Sequence, residues 1–94
     1  MEFEWDSNKA HTNLKKHAVS FDEAQTVFDD SLACIFDDEG HSIGEARELI
    51  IGHSSNNRLL IVSFTELVSG IVRIISARQA TIQERKTYEK HRTY

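Results

Sequence analysis

Apolar and polar positions change period several times along the chain. Phe3 and Trp5 alternate with Glu2, Glu4 and Asp6, which predicts a short strand with one buried face. Asp6 or Ser7 can then cap a helix running to about His17, with Ala10 and Leu14 as its apolar i, i+4 pair. Its other faces carry Lys9, His11, Lys15 and Lys16, so this helix is basic. Ser20-Phe21-Asp22-Glu23 has the form of a capping box, a serine N-cap with a glutamate three residues on. The helix it opens places Phe21, Ala24, Val27 and Phe28 on one stripe, and Asp29-Asp30-Ser31 ends it.

The pattern then turns to strands. Leu32 to Phe36 is apolar and runs into the turn residues Asp37-Asp38-Glu39-Gly40. Glu45 to His53 predicts a second strand, closed by Ser54-Ser55-Asn56-Asn57, and Arg58 to Thr65 a third, rich in β-branched and aromatic residues. Ser69-Gly70 marks the turn into Ile71 to Ala77. Such short connections predict an antiparallel meander. Thr81-Ile82-Gln83-Glu84 is a second capping box, and its helix runs from about Ile82 to His91. That helix has a poor apolar stripe, with Ile82 and Tyr88 as its only large apolar residues, so it needs a partner surface. The order β-α-α-β-β-β-β-α predicts an α+β fold, a small antiparallel sheet with helices packed mainly on one face. Without a proline or a linker, residues 1–94 are expected to form a single domain.

Charge adds an asymmetry. The net charge is −4, which argues against a nucleic-acid binder with an overall basic footprint. The acids concentrate between Asp22 and Glu48, where only Arg47 opposes them, whereas residues 58 to 92 are basic on balance. The single cysteine, Cys34, fits a reducing compartment and a small core residue. The start Met-Glu-Phe-Glu-Trp has no secretory pattern, and no apolar run is long enough to span a bilayer. A cytoplasmic location is expected, with no membrane partner.

The chemistry centres on arginine. Arg73 and Arg78 bracket the apolar strand Ile74-Ile75-Ser76-Ala77, and Arg47 precedes Leu49-Ile50-Ile51. A guanidinium is costly to bury without a partner, so these positions imply either an anion site or neighbouring carboxylates. Cleaving RNA without a metal requires a base for the 2′-hydroxyl, cations for the phosphorane and an acid for the leaving oxygen. Arginines supply the cations, Glu45 and His17 are candidate bases, and His17 is also a candidate acid. The competing reading is an ion pair from Glu45 or Glu48 to Arg73 across the sheet. Strict alternation separates Arg73 from Arg78 onto opposite faces, whereas a bulge, or a strand ending at Ala77, brings Arg78 round. The lysines of the first helix, with His17, either grip an RNA backbone or form a solvated face. His11, His17, His41, His53 and His91 have no metal-ligand spacing, and no glycine-rich phosphate loop exists. No metal and no cofactor are therefore expected.

At this point the residues resemble a known family. The strings are Phe3-Glu4-Trp5-Asp6, Lys9, Asn13-Leu14-x-Lys16-His17-x-Val19-Ser20-Phe21-x-x-Ala24, Val27-Phe28-x-Asp30, Glu45-x-Arg47, Ile51-Gly52 and Arg58-Leu59-Leu60-x-Val62. Phe64-Thr65, Arg73-Ile74-Ile75-Ser76-Ala77-Arg78-x-Ala80 and Glu84-Arg85-x-x-Tyr88 complete them. Together they resemble the BrnT family, the ribonuclease halves of type II toxin–antitoxin pairs. The resemblance implies a fold similar to RelE-type toxins and metal-independent RNA cleavage. It also implies neutralisation by a BrnA-like antitoxin, whose DNA-binding part would bring the complex to operator DNA. It places catalytic roles on Glu45, Arg47, Arg73 and Arg78, and RNA contacts on Lys9, Lys16, His17 and Arg58. Arg73 and Arg78 would hold the scissile phosphate, Arg47 would stabilise its developing charge, and Glu45 would take the 2′-hydroxyl proton or orient an arginine.

Two positions depart from the family pattern. Ser31 stands where a proline is common, and Ala46 stands where a second acid is common, which removes one candidate base. The alternative function is a catalytically weak or inactive toxin-fold module that only binds an antitoxin. A small metal-dependent hydrolase is a third, less supported reading.

Overall fold

The structure is a computed structural model that describes residues 1–38, 40, 46–68 and 70–92. The sequence-predicted strand start at Glu45, the turn residues Glu39 and Ser69, and His41 lie outside the described residues. The elements follow the predicted order: β1 (Glu2–Glu4), α1 (Ser7–His17), α2 (Phe21–Thr26), β2 (Cys34–Asp37), β3 (Glu48–His53), β4 (Leu59–Val68), β5 (Ile71–Gln79) and α3 (Ile82–Arg92). The end of α2 tightens into a 3₁₀ turn over Val27–Asp29. The sheet runs β1-β5-β4-β3-β2. The meander from β2 to β5 is antiparallel, whereas β1 joins the edge of β5 in parallel, so the sheet is mixed.

The local signals explain the helix starts. The Asp6 carboxylate accepts hydrogen bonds from the amides of Asn8 and Lys9, at 2.7 and 3.1 Å. Ser20 Oγ accepts from the Glu23 amide at 3.0 Å. The predicted box at α3 is reciprocal: the Thr81 amide donates to Glu84 Oε1 at 2.8 Å, and the Glu84 amide donates to Thr81 Oγ1 at 3.1 Å. α1 ends at Ala18, whose left-handed backbone (φ 57°) lets its amide donate to the Leu14 carbonyl.

The core lies between α1, α2 and one face of the sheet. Val19, Phe21, Ala24 and Val27 pack there on Ile50, Leu60, Val62, Phe64, Val72, Ile74 and Ala77. Phe28 bridges Phe3 and Phe64 in edge-on ring contacts, with centroids 5.0 Å apart in each pair. Gly52 lies where β3 passes under the 3₁₀ turn, and a Cβ there would stand only 2.8 Å from that of Ala33. α3 is the exception to the one-face expectation. Its Tyr88 packs on Ile51, Leu59 and Ile61, and Ile51 and Ile61 belong to the opposite face from Ile50, Leu60 and Val62. The weak apolar stripe of α3 thus amounts to Tyr88, because Ile82 remains 77% exposed.

The stripe on α1 differs from the i, i+4 reading. Leu14 is half exposed, and the buried residue is Asn13. β1 pairs with β5 only as far as Arg73, which leaves the edge of β5 open beyond it. Asn13 fills that gap. Its Nδ2 donates to the carbonyls of Ala77 (2.8 Å) and Val19 (2.9 Å), and its Oδ1 accepts from the Ala77 amide at 3.0 Å. One side chain therefore replaces the missing strand and ties α1 to β5. Burial of peptide groups without partners costs about 1–3 kcal/mol each. Replacement Asn13→Leu should lower unfolding free energy by about 3 kcal/mol in urea titrations. A loss below about 1 kcal/mol would show that Ala77 finds other partners.

Candidate active site

β5 carries two of the three arginines, and a bulge decides where they point. Ser76 stands opposite Ser63, and Ile74 stands opposite Phe64, so Ile75 has no counterpart on β4. Val72, Ile74 and Ala77 are buried in the core, and the extra residue puts Arg73 and Arg78 on the same, outward face. Of the alternatives open in the sequence, the structure thus realises the bulge.

Sharing a face does not bring the two guanidiniums into one pocket. Arg78 lines a recess of about 370 Å³ with Arg47, Asp38, Leu49, Ile61, Ser63, Ile75 and Ser76. The cross-strand pair Ser63 and Ser76 forms part of its floor, and Arg47 enters from the segment just before β3. The Asp38 amide donates to the Arg47 carbonyl at 2.9 Å, which holds the two ends of the β2–β3 connection together. Arg73 lies in a neighbouring recess with Glu4, Trp5, Asp6 and Lys9. A third recess, along α1, is lined by Lys9, Lys16, His17, Asn13, Ile75 and Ser76. All three meet at the bulge, because Ile75 lines each of them.

Among the described residues, the carboxylate that pairs with Arg73 is Glu4 and not Glu48. Arg73 is held by Glu4, its parallel neighbour on β1, through Nε and Nη2 at 3.1 and 2.9 Å, and the pair is nearly half exposed. Glu48, one candidate mate, instead stands across from Phe64 in the register of β3 and β4. Arg78 makes a two-point bond to Glu84 of α3, Nη1 to Oε1 at 2.7 Å and Nη2 to Oε2 at 2.9 Å. Those bonds hold the Glu84 carboxyl down to about 2 against the opposing effect of burial, and they raise the Arg78 pKa further. Arg58 is taken up elsewhere. It binds Glu23 of α2 through both Nη2 and Nε, and its Nη2 also donates to the Ala18 carbonyl at 3.0 Å. Glu23 accepts from Ser54 Oγ at 2.6 Å as well, and its bonds to Arg58 lower its pKa.

The structure therefore brings together Arg47 and Arg78, and separately Lys9, Lys16 and His17. It sets Arg73 one recess away and commits Arg58 to α2. Glu45 lies outside the described residues. Sequence reasoning missed Asp38, Ser63, Ser76 and Glu84. A signal existed for the serines, since each interrupts an apolar strand, and for Glu84 in its capping box. Their convergence on Arg78 depends on cross-strand register and on the docking of α3.

The chain is similar to known proteins. The family described as ribonuclease toxin, BrnT, of type II toxin–antitoxin systems matches residues 5–84. The chain belongs to the BrnT family. It is thus a ribonuclease toxin of a type II toxin–antitoxin system, and a toxin of that type pairs with a protein antitoxin. The match includes Arg47, Arg73, Arg78 and Glu84. The 1.1 Å crystal structure of the Brucella abortus ribonuclease toxin BrnT is similar, with a TM-score of 0.66 and 25% sequence identity over 86% of this chain and 97% of that chain. No curated protein matches the chain. No helix among the described residues is long and apolar enough to cross a membrane.

The depressed Glu84 pKa gives the pair to Arg78 a pH signature. A carboxyl with a folded pKa of about 2 and an ordinary value of 4.5 stabilises the fold above the latter. That stabilisation is lost as pH falls from about 4.5 towards about 2. Unfolding followed between pH 5 and pH 2 should therefore be less pH-dependent in Glu84→Gln than in the wild type. Equal slopes would mean that the pair contributes nothing to the fold.

Proposed function

We propose that this BrnT protein cleaves RNA internally without a metal ion, using Arg47 and Arg78 as the cations that hold the reacting phosphate. The observation that carries the reading is their convergence on one recess at the β5 bulge. A base removes the 2′-hydroxyl proton, and the oxygen attacks the adjacent phosphorus. The new O2′–P bond forms as the P–O5′ bond breaks, and an acid protonates the departing 5′-oxygen. The products are a 2′,3′-cyclic phosphate and a 5′-hydroxyl. The phosphorane carries an extra negative charge, which two guanidiniums stabilise better than they stabilise the diester.

Glu45 remains the proposed base, two residues before Arg47 in the chain. His17 is the proposed acid, since its recess meets the Arg47–Arg78 recess at Ile75 and Ser76. Lys9, Lys16 and Arg73 are proposed to grip flanking phosphates. Arg58 is not assigned to RNA here, because its guanidinium serves Glu23 and the Ala18 carbonyl. Residues 1–94 act as one toxin domain, supported by a core cluster that draws on α2, β3, β4 and β5 together. The partner is a BrnA-like antitoxin, which would carry the complex to operator DNA. RNA as substrate and a single cysteine fit a reducing cytoplasm.

A second reading has an observation of its own. Arg73 and Arg78 each hold a carboxylate, which fits a toxin-fold module that binds an antitoxin without cleaving. Incubation of purified protein with labelled RNA in EDTA separates the two. Cleavage under chelation supports the nuclease, cleavage abolished by EDTA overturns metal independence, and no cleavage in either condition favours the module. Arg47→Ala and Arg78→Ala should each reduce kcat/KM by about 10²–10³-fold, the cost of removing one transition-state charge donor. Wild-type rates in both variants would remove this mechanism.

The flanking cations should act on binding instead. Lys9→Ala and Lys16→Ala should raise KM with little change in kcat. Each should also flatten the dependence of log K on log salt by about 0.7, the single-strand value per phosphate contact. An unchanged salt slope in the double variant would make this helix face a solvated one.

A further inference from the structure

We propose that Glu84 is a positioning residue for Arg78, fixing its guanidinium at the recess by anchoring it to the first turn of α3. The inference rests on the reading of Arg78 as a phosphate-binding cation.

The geometry around the pair supports it. The contact is two-point and parallel, at 2.7 and 2.9 Å, so it fixes the plane of the guanidinium as well as its distance. Glu84 is itself held at both ends of the capping box, by the Thr81 amide and by Thr81 Oγ1. Glu84 Oε1 accepts from both Thr81 and Arg78, so the two contacts share one oxygen. The Arg78 side chain is 43% exposed and would otherwise retain much of its rotamer freedom. Arg78 Nη1 also leans toward the Gln79 carbonyl at 3.4 Å.

The same contact has an opposing electrostatic effect. The Glu84 charge cancels much of the Arg78 charge that an RNA phosphate would meet. Orientation and charge therefore pull in opposite directions, and this gives the role a signature that a merely structural residue lacks. Glutamine at position 84 can still accept one bond from Arg78 and still cap α3, but it removes the charge and one arm of the fork.

The test uses the full chain, a labelled RNA oligonucleotide and EDTA. Steady-state kinetics, scaled by the folded fraction from circular dichroism, are compared for wild type, Glu84→Gln, Thr81→Ala and Arg78→Ala. Glu84→Gln should lower kcat about tenfold, since misplacing a catalytic group by about 1 Å can cost up to 10²-fold and one contact is kept. It should lower KM as well, because the recess becomes more positive. Thr81→Ala, which keeps the charge but loosens the anchor, should lower kcat by less and leave KM unchanged. A kcat in Glu84→Gln at or above the wild-type value, or a KM that does not fall, overturns the proposal. If Arg78→Ala cleaves like the wild type, the reading of the recess fails first. If Arg78→Ala is impaired while Glu84→Gln keeps its kcat, only the role of Glu84 falls.

Discussion

One amide side chain sets the geometry on which the site depends. β5 lies between β4 and a β1 that is only three residues long, so among the described residues most of its outer edge has no strand beside it. Asn13 satisfies both backbone groups of Ala77 at that edge. A buried peptide group without a partner is costly, so α1 cannot slide along β5 without losing these bonds. With α1 fixed, Lys9, Lys16 and His17 face the same stretch of β5 that carries the bulge. The basic helix and the arginine recess are neighbours because an asparagine takes up the edge of β5 beyond the point where β1 stops.

The bulge at Ile75 does the complementary work on the strand itself. A regular β5 would put Arg73 and Arg78 on opposite faces, one of them in the core with Val72 and Ile74. A charged guanidinium there would require a buried partner. The extra residue removes that conflict, and it leaves Ile75 where three recesses meet. Sites next to bulges are common because a bulge re-aims side chains without breaking the sheet.

Electrostatics completes the picture. The chain is acidic overall, and Arg58, Arg73 and Arg78 each pair with a glutamate from a different element: α2, β1 and α3. The Arg58 pair sits largely buried against α2 and fastens the β3–β4 turn to it through Ser54. The other two are more open to solvent, on the face where the recesses lie. The same residue type thus serves the fold in one place and faces the recesses in the other two. Burial, not sequence, separates the cases.

Much of this was legible in the chain. The capping box of α3, the Ser20 and Asp6 caps, the antiparallel meander and the core stripe Phe21, Ala24 and Val27 follow from local chemistry, since each depends on residues within one or two turns. The family strings were equally local. What tertiary structure alone decided was long-range. β1 joins β5 in parallel, Asn13 and not Leu14 is the buried residue of α1, and α3 packs on the second face. Arg47 meets Arg78, whereas Arg73 turns to Glu4. Each of these depends on register between segments distant in sequence, and a one-residue bulge is enough to reverse the outcome. Periodicity fixes which residues share a face within an element, but only the docked elements determine which faces meet.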